Sequence, residues 1–391
     1  MDQSGIESPN YDIGAWRKRI PLLRNIIPMN NCSQSPQFDT TRMAAEDYLE
    51  SWNRAGMDWE AWMDETDRAK AEFAKLINAS PDEIAVSTSA SAAAASFISA
   101  APFDGPRKKI VATEAEFPSI GHVWLAHQRF GWKTEWVPVR DDIVYPEDYD
   151  AYIDEDTYMV SATHAYYHNG YIQDLPAIAQ KAHDKGALLF VDAYQSLGVV
   201  PLDVKAADVD VLVTGNLKFL LGVPGIAFIY VREGITEQLE PSFTGWFGRA
   251  EPFSFKIEPL DYHPTAARFD IGTPPVLNAY IARAGMAIIN EVGIDNIRAW
   301  TIQLSRRLME GGKARGLKLH GTDDPTRKTP VSAFVTPGDS HLVEEMLLRR
   351  GILAASRGPV IRLAPHFYTT MNDVDICLDV LQEVLQSPEL D

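Results

Sequence analysis

The chain has 391 residues, of which 46% are hydrophobic, and a formal net charge of -18. This length predicts a large domain with a smaller companion, and the acidic charge argues against nucleic acid as a partner, because binding to phosphates needs a basic face. Long apolar runs are absent, so we expect no membrane span, and the acidic N-terminus does not resemble a secretion signal. Cys32 and Cys377 are the only cysteines, so we expect no disulfide framework and no metal site. A cytoplasmic protein is the simplest interpretation.

Short apolar runs rich in β-branched residues recur through the first 231 residues, and each predicts a strand. The predicted strands cover 84–89, 108–115, 133–139, 158–164, 188–193, 210–215 and 225–231. Helical patterns at 91–100, 121–131 and 175–186 separate several of them. This alternation predicts an α/β fold, with a mainly parallel seven-stranded sheet and helices on both of its faces.

The pattern changes after about residue 275. Long helical patterns follow at 278–293, 295–312, 341–351 and 372–386, with strand candidates between them. They predict a smaller α+β domain. We therefore divide the chain into an N-terminal arm (1–30), a large domain (31–275) and a small C-terminal domain (276–391).

Lys218 follows a buried-strand pattern and lies in an otherwise apolar stretch. Desolvation lowers the pKa of a lysine, which is what an amine needs to attack a carbonyl near neutral pH. A lysine that extends its amine from an apolar stem to the surface would give the same pattern. The segment alone leaves these two interpretations open.

Two further strand ends carry polar residues. Asp192 ends a predicted strand, at the edge where open α/β sheets bind ligands, and its carboxylate could keep a pyridine nitrogen protonated. Gln195 follows three residues later. Ser89 and Ser91 lie where another strand meets an alanine-rich helix, whose first amides could hold a phosphate. Helix capping is the simpler alternative for both Asp192 and the serines.

Taken together, the hydroxyl-rich turn at 87–91, the aromatic of EAEFPS, the VDAYQ strand end and the lysine of TGNLK resemble the class V aminotransferase family. This group of fold-type-I pyridoxal-phosphate enzymes includes kynureninases, cysteine desulfurases and isopenicillin N epimerase. The resemblance runs from about residue 28 to the last helical pattern, and its motifs are closest to kynureninase-like members. It implies a pyridoxal phosphate cofactor and a small amino-acid substrate.

Carried over residue by residue, the resemblance makes Lys218 the Schiff-base lysine, Asp192 the partner of the pyridine nitrogen and Gln195 a contact of the phenolic oxygen. It also implies cofactor contacts from Ser89, Ala90, Ser91, Phe117, Tyr167, Trp246 and Thr273. Phe117 would stack on the ring, and packing at a strand end is an equally good interpretation of Tyr167. Trp246 and Thr273 would complete a site shared between the subunits of a homodimer. Arg362 would bind the substrate carboxylate through its guanidinium fork.

The chain departs from the family pattern in two ways. It has no loop cysteine of the kind that desulfurases use to take up sulfur, and Leu217 stands before the lysine where relatives carry histidine or tyrosine. The resemblance therefore favours a lyase that cleaves a side-chain bond by way of an α-carbanion. An aminotransferase is the alternative, as is a racemase or epimerase, and a scaffold without catalysis is the least favoured.

Overall fold

The computed structural model describes residues 8–102 and 104–390. The first seven residues of the predicted arm and Asp391 lie outside this described part. The helices are α1 (Ile13–Lys18), α2 (Asp39–Ala55), α3 (Trp59–Ile77), α4 (Ala90–Ser99), α5 (Pro118–His127), α6 (Leu175–Asp184), α7 (Glu233–Thr236), α8 (Val276–Val292), α9 (Ile294–Ala314), α10 (Ser340–Arg349) and α11 (Met371–Leu385). The strands are β1 (Ile27–Pro28), β2 (Ile84–Ser87), β3 (Lys109–Thr113), β4 (Lys133–Val137), β5 (Thr157–Thr163), β6 (Leu188–Asp192), β7 (Val211–Gly215), β8 (Ala227–Val231), β9 (Leu319–His320), β10 (Ser332–Val335), β11 (Ile352–Leu353), β12 (Ala355–Arg357) and β13 (Val360–Leu363).

The large sheet contains seven strands in the order β2, β8, β7, β6, β5, β3, β4. β8 runs antiparallel to both of its neighbours, and the other neighbouring pairs are parallel. β3, β7 and β8 are buried along their whole length, which is why the sequence shows them as unbroken apolar runs. The prediction of a mainly parallel seven-stranded sheet is confirmed, and all seven predicted strands take part.

Helices cover both faces of this sheet. Alternate strand residues point to opposite faces, so Leu189 and Leu212 join a cluster with side chains of α3, α6 and α8. Phe190 and Val213 join a second cluster with side chains of α4 and α5. Because helices cover both faces, the polar ends of the parallel strands are the part of the central sheet that is best placed for chemistry.

Helix α5 differs from its prediction of 121–131. It begins at Pro118 and ends at His127, and a 3-10 turn follows over 128–130. Proline fits the first helical position because no N–H is needed there. The shift matters because it places Phe117 directly at the start of the helix.

A second, antiparallel sheet has the order β12, β13, β10, β9. It packs with α9, α10 and α11 around a separate cluster that includes Leu304, Phe334 and Leu378. α8 instead packs against α2 and α3, although it follows residue 275. The domain boundaries stay a prediction.

The described part of the N-terminal arm contacts the C-terminal region. β1 pairs in parallel with β11, and the Tyr11 hydroxyl donates to the carbonyl of Phe367 at 2.7 Å. Arg17 forms an ion pair with Asp373 at 2.6 Å. Within the described residues, none of the helices has the length and apolar character to cross a lipid bilayer.

Candidate active site

A cavity of about 370 Å³ opens at the carboxyl edge of the large sheet. The ends of β2, β5, β6 and β7 meet there because these strands all point the same way. Its walls include Thr88, Ser89, Ala90, Ser91, Phe117, Ser119, Thr163, Tyr167, Asp192, Tyr194, Gln195, Leu217, Lys218 and Ile226. Eight residues predicted from the sequence thus come together around one space: Ser89, Ala90, Ser91, Phe117, Tyr167, Asp192, Gln195 and Lys218.

Lys218 lies in the turn after β7, and its amine faces the cavity. The Nζ atom is 4.2 Å from the ring centre of Tyr194 and 5.5 Å from that of Phe117. This desolvation lowers the pKa of the amine to about 8, although the nearby Asp192 carboxylate acts in the opposite direction. Gly215 ends β7 and makes room for the Tyr194 ring, because a Cβ there would come within 2.0 Å of that ring. The amine is therefore desolvated among rings, rather than extended into solvent.

Asp192 ends β6 and is only 3% exposed. Its Oδ1 accepts a hydrogen bond from the N–H of Tyr194 at 2.9 Å. Burial raises the pKa of this carboxyl, while the Tyr194 N–H and Lys218 oppose that rise. The alternative of a helix cap is wrong for Asp192, because the residues after it form turns instead of a helix.

The start of α4 forms one end of the cavity. Ser89 is the N-cap, and its Oγ accepts from the N–H of Ala92 at 3.1 Å, so the capping interpretation holds for this serine. Ala90 and Ser91 are the first two helical residues. Their N–H groups have no acceptor within the helix, and together with the helix dipole they make this end suited to an anion.

Gln195 joins the N-terminal segment to the cavity. Its Nε2 donates to the carbonyl of Cys32 at 3.0 Å. Its Oε1 is buried and has no hydrogen-bond partner within the described structure. An unpaired buried polar atom is costly, so this oxygen favours a polar group in the cavity.

Phe117 and Tyr167 form an aromatic pair at the cavity wall. Their ring centres are 5.3 Å apart and the rings are nearly perpendicular, the edge-to-face arrangement that aromatic pairs prefer. Phe117 comes from the start of α5, whereas Tyr167 follows β5. The pair therefore connects two elements beside the amine of Lys218.

Arg362 lies in β13 and is 1% exposed. It donates to Ser33 Oγ at 3.2 Å and to the carbonyl of Ala355 at 3.3 Å, and also to the carbonyl of Tyr167. Burial lowers the pKa of its guanidinium. Arg362 is not part of the cavity wall; it holds the wall from behind, through Tyr167. It forms no ion pair with any carboxylate of the described residues.

Trp246 and Thr273 are not brought to this cavity. Trp246 lies in a 3-10 turn, where its ring centre is 5.7 Å from that of Trp59 and 5.5 Å from that of Phe253. Thr273 is exposed, on a segment anchored by the buried Lys70–Asp270 ion pair at 2.6 Å. Their assignment to the site of a neighbouring subunit stays a prediction.

The sequence analysis missed several wall residues and one residue behind the wall. Thr88, Thr163 and Tyr194 line the cavity, and Glu116 is buried next to Phe117. The strand-end rule that singled out Asp192 would also have found Thr163, the residue opposite it in the β5–β6 register. Glu116 gave a weaker signal, because an acid two residues before a helix usually lies in solvent.

The wall fits pyridoxal phosphate, the cofactor that the resemblance implies. The cavity offers an amine with a lowered pKa, a buried carboxylate, an unpaired amide oxygen and a helix N-terminus. These groups match the cofactor's carbonyl, pyridine nitrogen, polar substituents and phosphate, respectively. Lys218, Asp192, Gln195 and the Ser89–Ser91 turn would hold them.

Comparisons with known proteins agree with this geometry. The sequence profile described as Aminotransferase class-V matches residues 33–375. The chain is 35% identical over 364 residues to the uncharacterized aminotransferase YcbU of Bacillus subtilis (strain 168), covering 93% of this chain and 96% of that protein. It is 27% identical over 351 residues to the kynureninase of Pseudomonas fluorescens, covering 86% of this chain and 82% of that enzyme.

Solved structures show the same fold. The apo cysteine desulfurase of Thermococcus onnurineus NA1 superposes with a TM-score of 0.86 at 22% identity, over 97% of this chain and 99% of that one. The cystine C-S lyase C-DES, in complex with cysteine persulfide, gives a TM-score of 0.85 at 18% identity, over 93% of this chain and 99% of that one. Both likenesses concern the fold alone.

Proposed function

We propose that this chain, which belongs to the class V aminotransferase family and is a pyridoxal-phosphate-dependent enzyme, is a lyase that cleaves a side-chain bond of an amino acid. When bound, the cofactor supplies an electron sink for the bonds at the substrate's α-carbon. The chain supplies the groups that bind the substrate, orient it and move its protons.

Lys218 has two tasks in this proposal. Its neutral amine would hold the cofactor, and the same amine, when free, would remove or return the α-proton of the substrate. The pKa of about 8 suits both tasks near neutral pH, because an appreciable part of the amine is neutral while the protonated form still exists.

The other wall residues would fix the ring. Asp192 would hold the pyridine nitrogen protonated, and Phe117 would stack on one face of the ring. Ser89, Ala90 and Ser91 would bind the phosphate, and Gln195 would contact the phenolic oxygen. Arg362 would bind the α-carboxylate of the substrate, which would replace one of its present main-chain acceptors.

Tyr167 is the observation that carries the lyase proposal. A lyase must protonate the side-chain fragment that leaves, whereas aminotransfer needs no such group. Tyr167 lines the cavity and packs against Phe117, and its phenol would serve as that acid. The kynureninase relatives and the C-S lyase with the same fold support this branch.

An aminotransferase is the second candidate, because the 35% identical relative carries that description. It would use the same lysine but leave the amino group on the cofactor. Racemisation or epimerisation would use the same proton transfers at the α-carbon without cleavage. The lyase and the aminotransferase differ in their products.

Product analysis separates the two reactions. The purified protein is incubated with single amino acids, and the products are identified by mass spectrometry. A lyase releases a side-chain fragment in the absence of any 2-oxo acid. If the only product is the 2-oxo acid of the substrate, and turnover requires a second 2-oxo acid as acceptor, the lyase proposal is wrong and aminotransfer is correct.

We further propose a cytoplasmic homodimer. Phe253 and Phe255 pack against Trp246 and are exposed, and the same segment also exposes Ile257 and Leu260. Exposed apolar surface of this kind usually marks a contact surface. A neighbouring subunit seated there would explain the distance of Trp246 and Thr273 from the cavity of their own chain. The two cysteines are both buried and free, which supports a reducing compartment.

A further inference from the structure

Glu116 is a buried carboxyl that the proposed reaction does not use. It lies between β3 and α5, directly before Phe117, and is 6% exposed. A buried carboxylate normally has a cationic partner. Glu116 has none among the described residues.

Three groups donate hydrogen bonds to this carboxyl. Oε1 accepts from Thr163 Oγ1 at 2.6 Å and from the N–H of Phe117 at 2.9 Å. Oε2 accepts from Ser161 Oγ at 3.0 Å, and the indole of Trp124 donates to that same serine at 3.1 Å. The Glu116 side chain thus links the end of β5 to the start of α5 by hydrogen bonds. These two elements position Thr163 and Phe117 at the cavity.

The surroundings of Glu116 disfavour a negative charge. The hydroxyls of β5 and the indole of α5 are neutral. The ionisable groups that interact with Glu116 are the carboxyl of Asp192, which raises the pKa of Glu116, and the phenols of Tyr149 and Tyr166, whose pKa Glu116 raises. Burial and the repulsion from Asp192 together raise the pKa of Glu116 to about 8, and its three hydrogen bonds only partly oppose this.

We propose that Glu116 is a positioning residue that acts as a neutral acid: it holds Phe117 and Thr163 at the cofactor and leaves Asp192 as the one charged carboxyl there. In this form the carboxyl donates its hydrogen to Thr163 Oγ1 instead of accepting from it, while the Phe117 N–H and the Ser161 hydroxyl still donate to the carboxyl. The inference rests on pyridoxal phosphate occupying the cavity, but not on which reaction follows.

Two substitutions test the proposal through cofactor affinity. Glu116→Gln keeps the shape of the side chain and remains neutral at every pH, whereas Glu116→Ala removes the hydrogen bonds to Thr163, Ser161 and the N–H of Phe117. The affinity of the cofactor-free protein for pyridoxal phosphate is measured by quenching of tryptophan fluorescence. We expect Glu116→Gln to stay within about threefold of wild type and Glu116→Ala to bind about tenfold more weakly or worse, because buried hydrogen bonds are lost.

The outcomes that would overturn the proposal are distinct. If Glu116→Gln binds as weakly as Glu116→Ala, the negative charge is what matters; if Glu116→Ala binds like wild type, Glu116 positions nothing. Should Glu116→Ala fail to fold, Thr163→Val takes its place, because it removes the hydroxyl that bonds to Oε1 while nearly keeping the side-chain shape, and it should also weaken binding. Glu83→Gln is the matched control, since Glu83 is a buried carboxyl at the other end of β2, and it should leave the affinity unchanged.

A second readout needs no cofactor. The native pKa of about 8 lies above the ordinary value of 4.5, so between these values the folded state holds a proton that the unfolded state has lost. Raising the pH across this window therefore disfavours folding of the wild type, by up to about tenfold in the folding constant per pH unit. Glu116→Gln should lack this contribution, so the difference in thermal stability between the variant and the wild type should shift in favour of the variant as the pH rises. A constant difference would contradict a neutral Glu116, even if pyridoxal phosphate does not bind at all.

Discussion

The pH dependence of cofactor attachment gives a quantitative check on Lys218. At pH 7, an amine with a pKa of about 8 is neutral in about one molecule in ten, whereas at the ordinary value of 10.5 it would be neutral in about one in three thousand. The environment of Lys218 therefore increases the reactive form by about 300-fold at neutral pH. We predict that the attachment rate rises about tenfold per pH unit below pH 8 and levels off above it.

The assay mixes protein freed of cofactor with pyridoxal phosphate and follows absorbance in a stopped-flow instrument. The same measurement on a simple alkylamine corrects for the titration of the cofactor itself. Asp192→Asn adds a check of sign: the carboxylate raises the pKa of Lys218, so its removal should move the plateau to lower pH. A rate that keeps rising to about pH 10 would show that the lysine has an ordinary pKa, and would refute the reasoning.

Three further predictions concern the effects of substitutions on turnover, substrate binding and assembly. Asp192→Asn should lower turnover, measured by product formation, about a hundredfold or more. The control Asp210→Asn alters a buried carboxyl just before β7 and should change turnover by less than about threefold. Similar losses in both variants would mean that Asp192→Asn acts only through folding. Arg362→Lys keeps the charge but loses the fork, so KM for the amino acid should rise about tenfold with a smaller change in kcat, and an unchanged KM would remove Arg362 from substrate binding. Trp246→Ala should weaken the proposed dimer in analytical ultracentrifugation and lower cofactor affinity with it, and a wild-type dimer with wild-type affinity would contradict the shared site.

The large sheet could be predicted because most of its strands are buried on both faces. Runs such as 211–213 and 225–231 contain little but apolar residues, so their type and approximate bounds were evident. Helices α2 and α3 were not predicted. Their patterns are broken because Trp52 and Met57 are exposed in or next to them, while Glu65 and Lys70 are buried, and these charges are balanced by partners distant in sequence, Arg283 and Asp270.

The residues of the candidate site also differ in whether the sequence could predict them. Lys218 and Asp192 could be found because Asp192 ends a strand, Lys218 follows one in the next turn, and each matches a family motif. The state of Glu116 could not be inferred, since its burial depends on hydroxyls of β5 that are 45 and 47 residues away in sequence. The position of Arg362 behind the wall also depends on tertiary contacts, with Ser33 and Tyr167.

The most direct test of the central claim is chemical trapping of the lysine. The protein is incubated with pyridoxal phosphate, reduced with borohydride and digested, and the modified peptide is identified by mass spectrometry. Lys328 provides a stringent comparison, because it is also buried and its pKa is lowered to about 7, yet it lies outside the cavity wall. The account predicts a label on Lys218 alone, retained in Lys328→Met and lost in Lys218→Ala. A label on Lys328, or no label at all, would contradict it.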